Sequence, residues 1–419
     1  MVDKSKPVHF LRTNPRNWTR ASLPKFKALS QQVIVQTPLK FEQLKDKSWS
    51  QRHNYLNFYA CQEQERRWEE KVGIRPEDCS FSLIIPIHNE ELSLSSFLST
   101  LMLADIPWSV NLNIIFITNA CDDASNTIID EFFSHLGEVE VKQLKGNFQD
   151  LLLNTWYSTT KVGGITFMHL DTRTAGKANA LNIGNCIARE SGHIIAMNID
   201  ANDYIEPDAI LVLFCYAHKA FHSNPGVNDI VLLSGMGQLV RRASKLKKLM
   251  DKGRKMQLHL IEDTNCYVLG CLMTWNTDWL FSHGGPLGIA LEDYSLGVLA
   301  RANSFKAERV KDASIWSYGA NDFKSLLETR ARYVRGMIQL LESLHYDPSA
   351  VRIVEQDSFY MRNWSARLQH LLQTLIKHPQ YLLNYIATFL LWEYALAKGK
   401  WDFKRNPTNQ TWRKIDSTR

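Results

Sequence analysis

The chain has 419 residues, 45% of them hydrophobic, enough to bury a sizeable core. Its 49 Lys and Arg against 43 Asp and Glu leave a formal charge of +6, too mild a balance to indicate nucleic acid as a partner. The cysteines (61, 79, 121, 186, 215, 266 and 271) are seven in number and form no CxxC pair, which points to reduced thiols without a zinc site in a cytoplasmic protein. Residues 1–18 contain no apolar run of signal-peptide length, so secretion is not expected.

Residues 1–78 are polar and read as an N-terminal extension, helix-prone over Gln62–Val72. Order begins at Phe81. Residues 81–87 (FSLIIPI) form a continuous apolar run, as strands of parallel sheets do, and end in His88, Asn89 and Glu90. A helical pattern over Leu92–Ala104 follows. Residues 111–118 make a second strand, which releases an Asn/Asp-rich loop through Asn119 and Asp123 before a helix at Thr127–Phe133. A third strand is predicted at 165–170 and a fourth at 193–199. Between them, from Gly176 and Lys177, runs a small-residue helical pattern.

The fourth strand ends in Asp200, Ala201, Asn202 and Asp203, polar groups delivered where the hydrophobic run stops. Repeated strand, polar loop and helix mean βαβ units and a parallel sheet, whose ligands bind outside the carboxyl ends of the strands. Neither GxGxxG nor a Walker sequence is present.

After Leu233 the pattern changes. A basic helix is expected over Arg241–Lys255, then a glycine-spaced segment with Gly270, Gly284 and Gly285. Glu292 and Asp293 open another helix, where acidic residues also suit the helix dipole. Arg330 and Arg332 lie on a helix within 320–344. Residues 381–397 are mostly apolar but fall short of the roughly 20 residues a membrane span needs. They read either as a buried helix or, with the basic tail 398–419 and its two tryptophans, as an interfacial one peripheral to the inner face of a membrane. The expected organisation is an extension (1–78), an α/β domain (79–344, with two halves that meet at 232/233) and a C-terminal helical segment (345–419).

In order and spacing these pieces resemble the family 2 glycosyltransferases of the GT-A fold. Pro86, His88, Asn89 and Glu90 match the end of that family's first strand, and Asn119 through Asp123 its nucleoside loop. Gly176, Lys177, Ala180, Leu181 and Asn182 match its Gly-Lys-x-x-Ala-Leu-Asn segment; Asp200-Ala201-Asn202 matches Asp-x-Asp. Gly284-Gly285-Pro286 and Glu292-Asp293 match the acceptor loop and catalytic acids, and Thr329 to Tyr333 the closing Gln-x-x-Arg-Trp helix.

The resemblance implies an α/β fold with a mostly parallel, Rossmann-like sheet flanked by helices, with helical extensions at both ends. It implies inverting transfer of a hexosyl or N-acetylhexosaminyl group from a nucleotide-diphosphate sugar, a UDP-sugar first, to an acceptor hydroxyl on a glycan, a lipid-linked molecule or a small molecule. Asp293, beside Glu292, is the implied general base. Mg²⁺ or Mn²⁺ is implied on Asp200 and Asn202, with Asp203 next in line. Donor contacts are implied for Pro86, His88, Asn89, Glu90, Asn119, Asp123, Lys177, Asn182, Asp200 and Arg332, and acceptor contacts for Gly284 and Gly285.

The chain departs from the family's pattern at Asn202, where a second Asp is usual, at Thr118, where a base-contacting Asp is common, and at Thr329 and Tyr333, which replace Gln and Trp. The alternative is a catalytically silent GT-A domain that binds nucleotide sugar or glycan. The retained Glu292-Asp293 pair speaks against it, because a binding module has no use for a base.

Overall fold

A computed structural model describes residues 64–143, 156–172, 176–222, 229–240, 268, 270–286, 288–318, 323–357, 364–377 and 382–407. The extension before residue 64, the basic helix expected at 241–255 and the tail beyond 407 lie outside the described residues.

Helix α1 (64–72) closes the predicted extension, and its Trp68 is fully buried. The indole lies 5.0 Å from the Phe214 ring and donates through Nε1 to Cys79 Sγ at 3.1 Å, so this part of the extension belongs to the core.

The chain then alternates β1 (Ser80–Ile87), α2 (Glu91–Met102), β2 (Asn111–Asn119), α3 (Ser125–Leu136), β3 (Glu140–Gln143), β4 (Trp156–Val162), β5 (Ile165–Thr172), α4 (Lys177–Glu190), β6 (Ile195–Ile199), β7 (Tyr204–Ile205) and α5 (Ala209–Phe221). It continues with β8 (Ile230–Val240), β9 (Leu272–Asn276), α6 (Thr277–Ser282), α7 (Glu292–Ala302), β10 (Lys306–Tyr318), α8 (Phe323–Ser343), α9 (Pro348–Asp357), α10 (Trp364–Lys377) and α11 (Leu382–Arg405).

All ten strands join one sheet in the order β3-β4-β5-β2-β1-β6-β9-β8-β10-β7. The four strands predicted from apolar runs are its parallel centre, β5-β2-β1-β6, each paired in parallel with the next. β1 and β2 are apolar on both faces because helices cover both. The outer part is mixed: β9 runs antiparallel to β6 and β8, β10 runs parallel to β8, and β3-β4 form an antiparallel edge hairpin. Strands from both halves of the 79–344 region therefore complete a single sheet.

The chain builds outward from β1 to β2 and β5, then returns to β6 on the other side of β1. That reversal opens a crevice at the carboxyl ends of β1 and β6. Helix α4 lies close over β1 because Gly184 has no side chain; a Cβ there would stand 2.6 Å from Ile84 Cγ2. This close packing aims the start of α4, Lys177, at the crevice. The fourth strand begins two residues later than its apolar run suggests. His193 is buried before it, with Nδ1 2.9 Å from Ser82 Oγ, and burial holds its ring neutral with a pKa near 4.

Behind the second half, α7, α8 and α9 share a small core that includes Leu291, Val298, Leu340 and Val354. α11 docks on α8 through Gly399, where a Cβ would meet the Ala331 carbonyl at 2.7 Å, and through Trp392, beneath the Arg330 guanidinium at 4.4 Å. Among the described residues no helix is long and apolar enough to cross a membrane.

Candidate active site

The carboxyl ends of β1, β2, β5 and β6 meet at one edge. His88 Nδ1 lies 2.7 Å from the Asn119 carbonyl, tying β1 to β2. Asn89 takes a φ of 54°, a left-handed conformation that Asn tolerates, and its Oδ1 accepts the Asp122 N–H at 2.9 Å. Buried Glu90 accepts from Ser93 Oγ and, on Oε1, from Asn202 Nδ2 at 3.3 Å. Asn119 is buried as well, its Nδ2 donating to the Ile87 and Ile117 carbonyls at 3.3 Å each and its Oδ1 accepting from Thr172 Oγ1 at 3.2 Å. Asp123 accepts the N–H of Glu91 and of Ser125, each at 3.0 Å, and so caps α2 and α3 together.

The structure thus gathers Pro86, His88, Asn89, Glu90, Asn119 and Asp123 at the predicted edge. The polar groups of the last five fasten its loops to one another. Thr118 Oγ1 donates to Asp171 Oδ1 at 3.0 Å, and the two residues are register partners on β2 and β5. Asp171, near the end of β5, is a carboxylate beside this edge that the sequence reading missed.

The most concentrated chemistry surrounds Lys177. Its Nζ lies 2.7 Å from Asp200 Oδ1 and 3.3 Å from Glu292 Oε1, and donates to the Gly270 carbonyl at 2.7 Å. A lysine at a helix N-terminus opposes the helix dipole, so the carboxylates around it supply what holds it there. Burial pulls its pKa down, but Asp200, Glu292 and Asp293 outweigh that and keep the ammonium charged above the ordinary lysine value.

Asp293 is held on both oxygens: Oδ2 accepts the Gly270 N–H at 3.0 Å and Oδ1 accepts the Tyr294 N–H at 2.8 Å. Burial raises the pKa of both acids, against the pull of Lys177; Glu292 reaches about 7. One ammonium among three carboxylates leaves the cluster short of positive charge. A hard cation or protons would correct that imbalance.

Gly270 is the second residue that the sequence reading missed. It joins Lys177, Asp293 and Asn198, whose Nδ2 donates to its carbonyl at 3.1 Å. A Cβ on Gly270 would stand 2.5 Å from Asp293 Oδ2, so glycine alone fits without displacing the carboxylate. Its only signal in the sequence was its place in the glycine-spaced segment.

The metal-ligand expectation divides. Asp200 keeps a quarter of its side chain exposed and Asn202 is exposed, both offering oxygen donors. Asp203 is buried, and burial, then the neighbouring Asp200, raises its pKa well above the ordinary carboxylate value. Among the described residues no three His, Cys, Asp or Glu converge as metal ligands. A cation on Asp200 and Asn202 would take its remaining oxygens from substrate and water, as Mg²⁺ commonly does.

Gly284 and Gly285 adopt φ of 79° and 76°, the left-handed region. A Cβ on Gly285 would fall 1.8 Å from Asn182 Oδ1, and Asn182 Nδ2 donates to the Pro286 carbonyl at 3.3 Å. Asn182 therefore clasps the loop that leads into Glu292. Gly285→Ala is expected to destabilise the chain by about 1–3 kcal/mol, from the left-handed strain and the displaced clasp. A denaturant midpoint equal to that of the parent chain would show that the loop yields freely. Arg332 lies on α8 with its guanidinium 5.9 Å from the Tyr333 ring, on the helix that packs against Leu291 through Gly336.

The fold is shared with the mannosyltransferase PcManGT from Pyrobaculum calidifontis, solved in complex with GDP-Man and Mn²⁺. The TM-score is 0.51 at 14% identity, over 90% of this chain and 99% of that one. TarS 1–349 of S. aureus in complex with UDP (TM-score 0.40, 12% identity, 81% and 95% covered) and with UDP-GlcNAc (0.39, 12%, 81% and 95%) is a more remote likeness. No protein-family model matches the chain, and no curated protein matches it. The likeness is one of fold: a mixed α/β architecture with a large central sheet flanked by helices, as the resemblance implied.

Proposed function

We propose that this chain is a glycosyltransferase that moves a sugar from a nucleotide-diphosphate donor to an acceptor hydroxyl with inversion. The observation that carries the reading is the Lys177 cluster at the carboxyl ends of the parallel strands. It joins an ammonium, a strand-end carboxylate and a half-buried acid whose two oxygens are both held by backbone N–H groups.

The donor diphosphate lies at the crevice beside Asp200 and Lys177. A divalent cation there would be held by Asp200 and Asn202 and would supply charge neutralisation. As the bond from the anomeric carbon to the diphosphate oxygen breaks, Lys177 offsets the charge left on the diphosphate. Asp293 takes the proton of the acceptor hydroxyl while that oxygen bonds to the anomeric carbon from the opposite face. Its raised pKa makes it a stronger base than an exposed Asp. Gly284 and Gly285 border the acceptor side, and the fold neighbour's GDP-Man makes GDP-sugars as relevant to test as UDP-sugars.

Calorimetry with GDP- and UDP-sugars, with and without Mn²⁺, tests the reading. Donor binding that Mn²⁺ strengthens and that Asp200→Ala weakens by about tenfold or more is the expected result. Binding without turnover on any acceptor would favour the silent domain, and no binding of either donor class would overturn the proposal.

A further inference from the structure

Fifteen large hydrophobic side chains are exposed among the described residues, and eight of them lie within 364–401. On α11 they are Ile386, Leu390, Tyr394 and Trp401, which at 100° per residue fall within an arc of about 80°. The opposite side of that helix, with buried Trp392, Ala395 and Leu396, faces the domain. On α10, Trp364, Leu368, Leu372 and Ile376 follow one another four residues apart and are 52, 38, 51 and 81% exposed. The two helices meet where the Trp364 ring lies 5.4 Å from Phe389. An apolar surface of this extent marks an interaction site.

Charge identifies what covers it. Residues 364–419 carry nine Lys or Arg against three Asp or Glu, a net of +6, so the preceding 363 residues balance to zero. The whole formal charge of the chain is therefore concentrated in the segment that holds the bare apolar faces. Lys400, Lys404 and Arg405 are exposed around Trp401, and the Arg405 guanidinium lies 4.4 Å over the indole. Basic side chains bordering an apolar face with tryptophan are the features of a helix lying in the plane of an anionic membrane surface. A second copy of the chain would instead bring +6 against +6.

We propose that α10 and α11 seat this protein on an anionic lipid surface, their apolar faces in the headgroup region and the basic residues on the lipid phosphates. The sequence reading pointed to 381–419. The structure adds α10 and shows that one side of α11 is occupied by α8. The inference is independent of the sugar-transfer reading, since a chain that binds no nucleotide sugar can still bind lipid.

The test is flotation of the full chain with vesicles of phosphatidylcholine alone or with about 30% phosphatidylglycerol. The chain is expected to float with the anionic vesicles and to be released as salt shortens the range of the attraction from about 10 Å at 0.1 M to about 3 Å at 1 M. Leu372→Glu/Ile376→Glu, both positions exposed, is expected to lose about tenfold or more in vesicle binding with an unchanged melting temperature. Tyr216→Glu, an exposed position on α5, should leave vesicle binding intact. If the double variant fails to fold, the lipid and salt series on the native chain still decide. Absence of flotation, equal salt-insensitive flotation on neutral vesicles, or a sedimenting dimer that the double variant dissociates would each overturn the proposal.

Discussion

Asp293→Asn is expected to lower the rate of sugar transfer by about 10²–10⁴-fold, the range a positioned general base contributes, while donor affinity changes only a few-fold. The substitution keeps the shape of the side chain but removes its capacity to take a proton. Asn also has one acceptor oxygen where Asp293 uses two, so one of the Gly270 and Tyr294 N–H groups loses its partner. That loss costs about 1–3 kcal/mol, offset in part by relief of repulsion from the neighbouring acids.

Under the proposed role, transfer by the native chain should fall as pH drops through the raised carboxylate values, because the base must be ionised to act. Glu292, near 7 and pushed up in part by Asp293, should titrate lower in the variant. Product formation from pH 5 to 8, alongside calorimetric donor binding, reads both effects. Full activity in Asp293→Asn together with inactivity in Glu292→Gln would transfer the role of base to Glu292.

The parallel centre of the sheet was legible because strands covered on both faces are written as unbroken apolar runs, here in β1 and β2. The outer strands were not. β10 mixes Lys306, Glu308, Arg309, Lys311 and Asp312 with apolar residues, and β9 is interrupted by Thr274 and ends in Asn276, so neither presents such a run. The candidate site was legible as far as which loops meet, since polar residues directly after apolar runs mark the sheet edge.

Side-chain direction was not legible. Asn119, read as a donor contact, also fastens three strand ends, and Asp123, read as a contact or a cap, accepts the first N–H of two helices. Nor does spacing reveal long-range partners: Lys177 meets Gly270 across 93 residues, and Thr118 meets Asp171 only through the register of β2 with β5.

Lys177→Met is expected to destabilise the chain by about 3–5 kcal/mol at pH 8, the effect of leaving buried charges without their partner. The methionine fills much the same volume but cannot offset Asp200, Glu292 and Asp293. The sign of the pH dependence follows from Glu292. In the folded native chain it holds a proton up to about pH 7, whereas an unfolded Glu releases it near 4.5. The fold therefore binds the extra proton between those values, and Glu292's contribution to stability falls as pH rises through that window.

Without Lys177, which lowers the Glu292 and Asp293 values, both acids titrate still higher and the window widens upward. The deficit of Lys177→Met should accordingly be largest at pH 8 and shrink toward pH 5, where Glu292 is neutral. Adding Glu292→Gln should recover part of it by removing one uncompensated charge. Thermal denaturation of the three variants (Lys177→Met, Glu292→Gln and the double) at pH 5 and 8 measures this. A deficit equal at both pH values, unmoved by Glu292→Gln, would mean that Lys177 contributes packing alone and that the carboxylates are balanced without it.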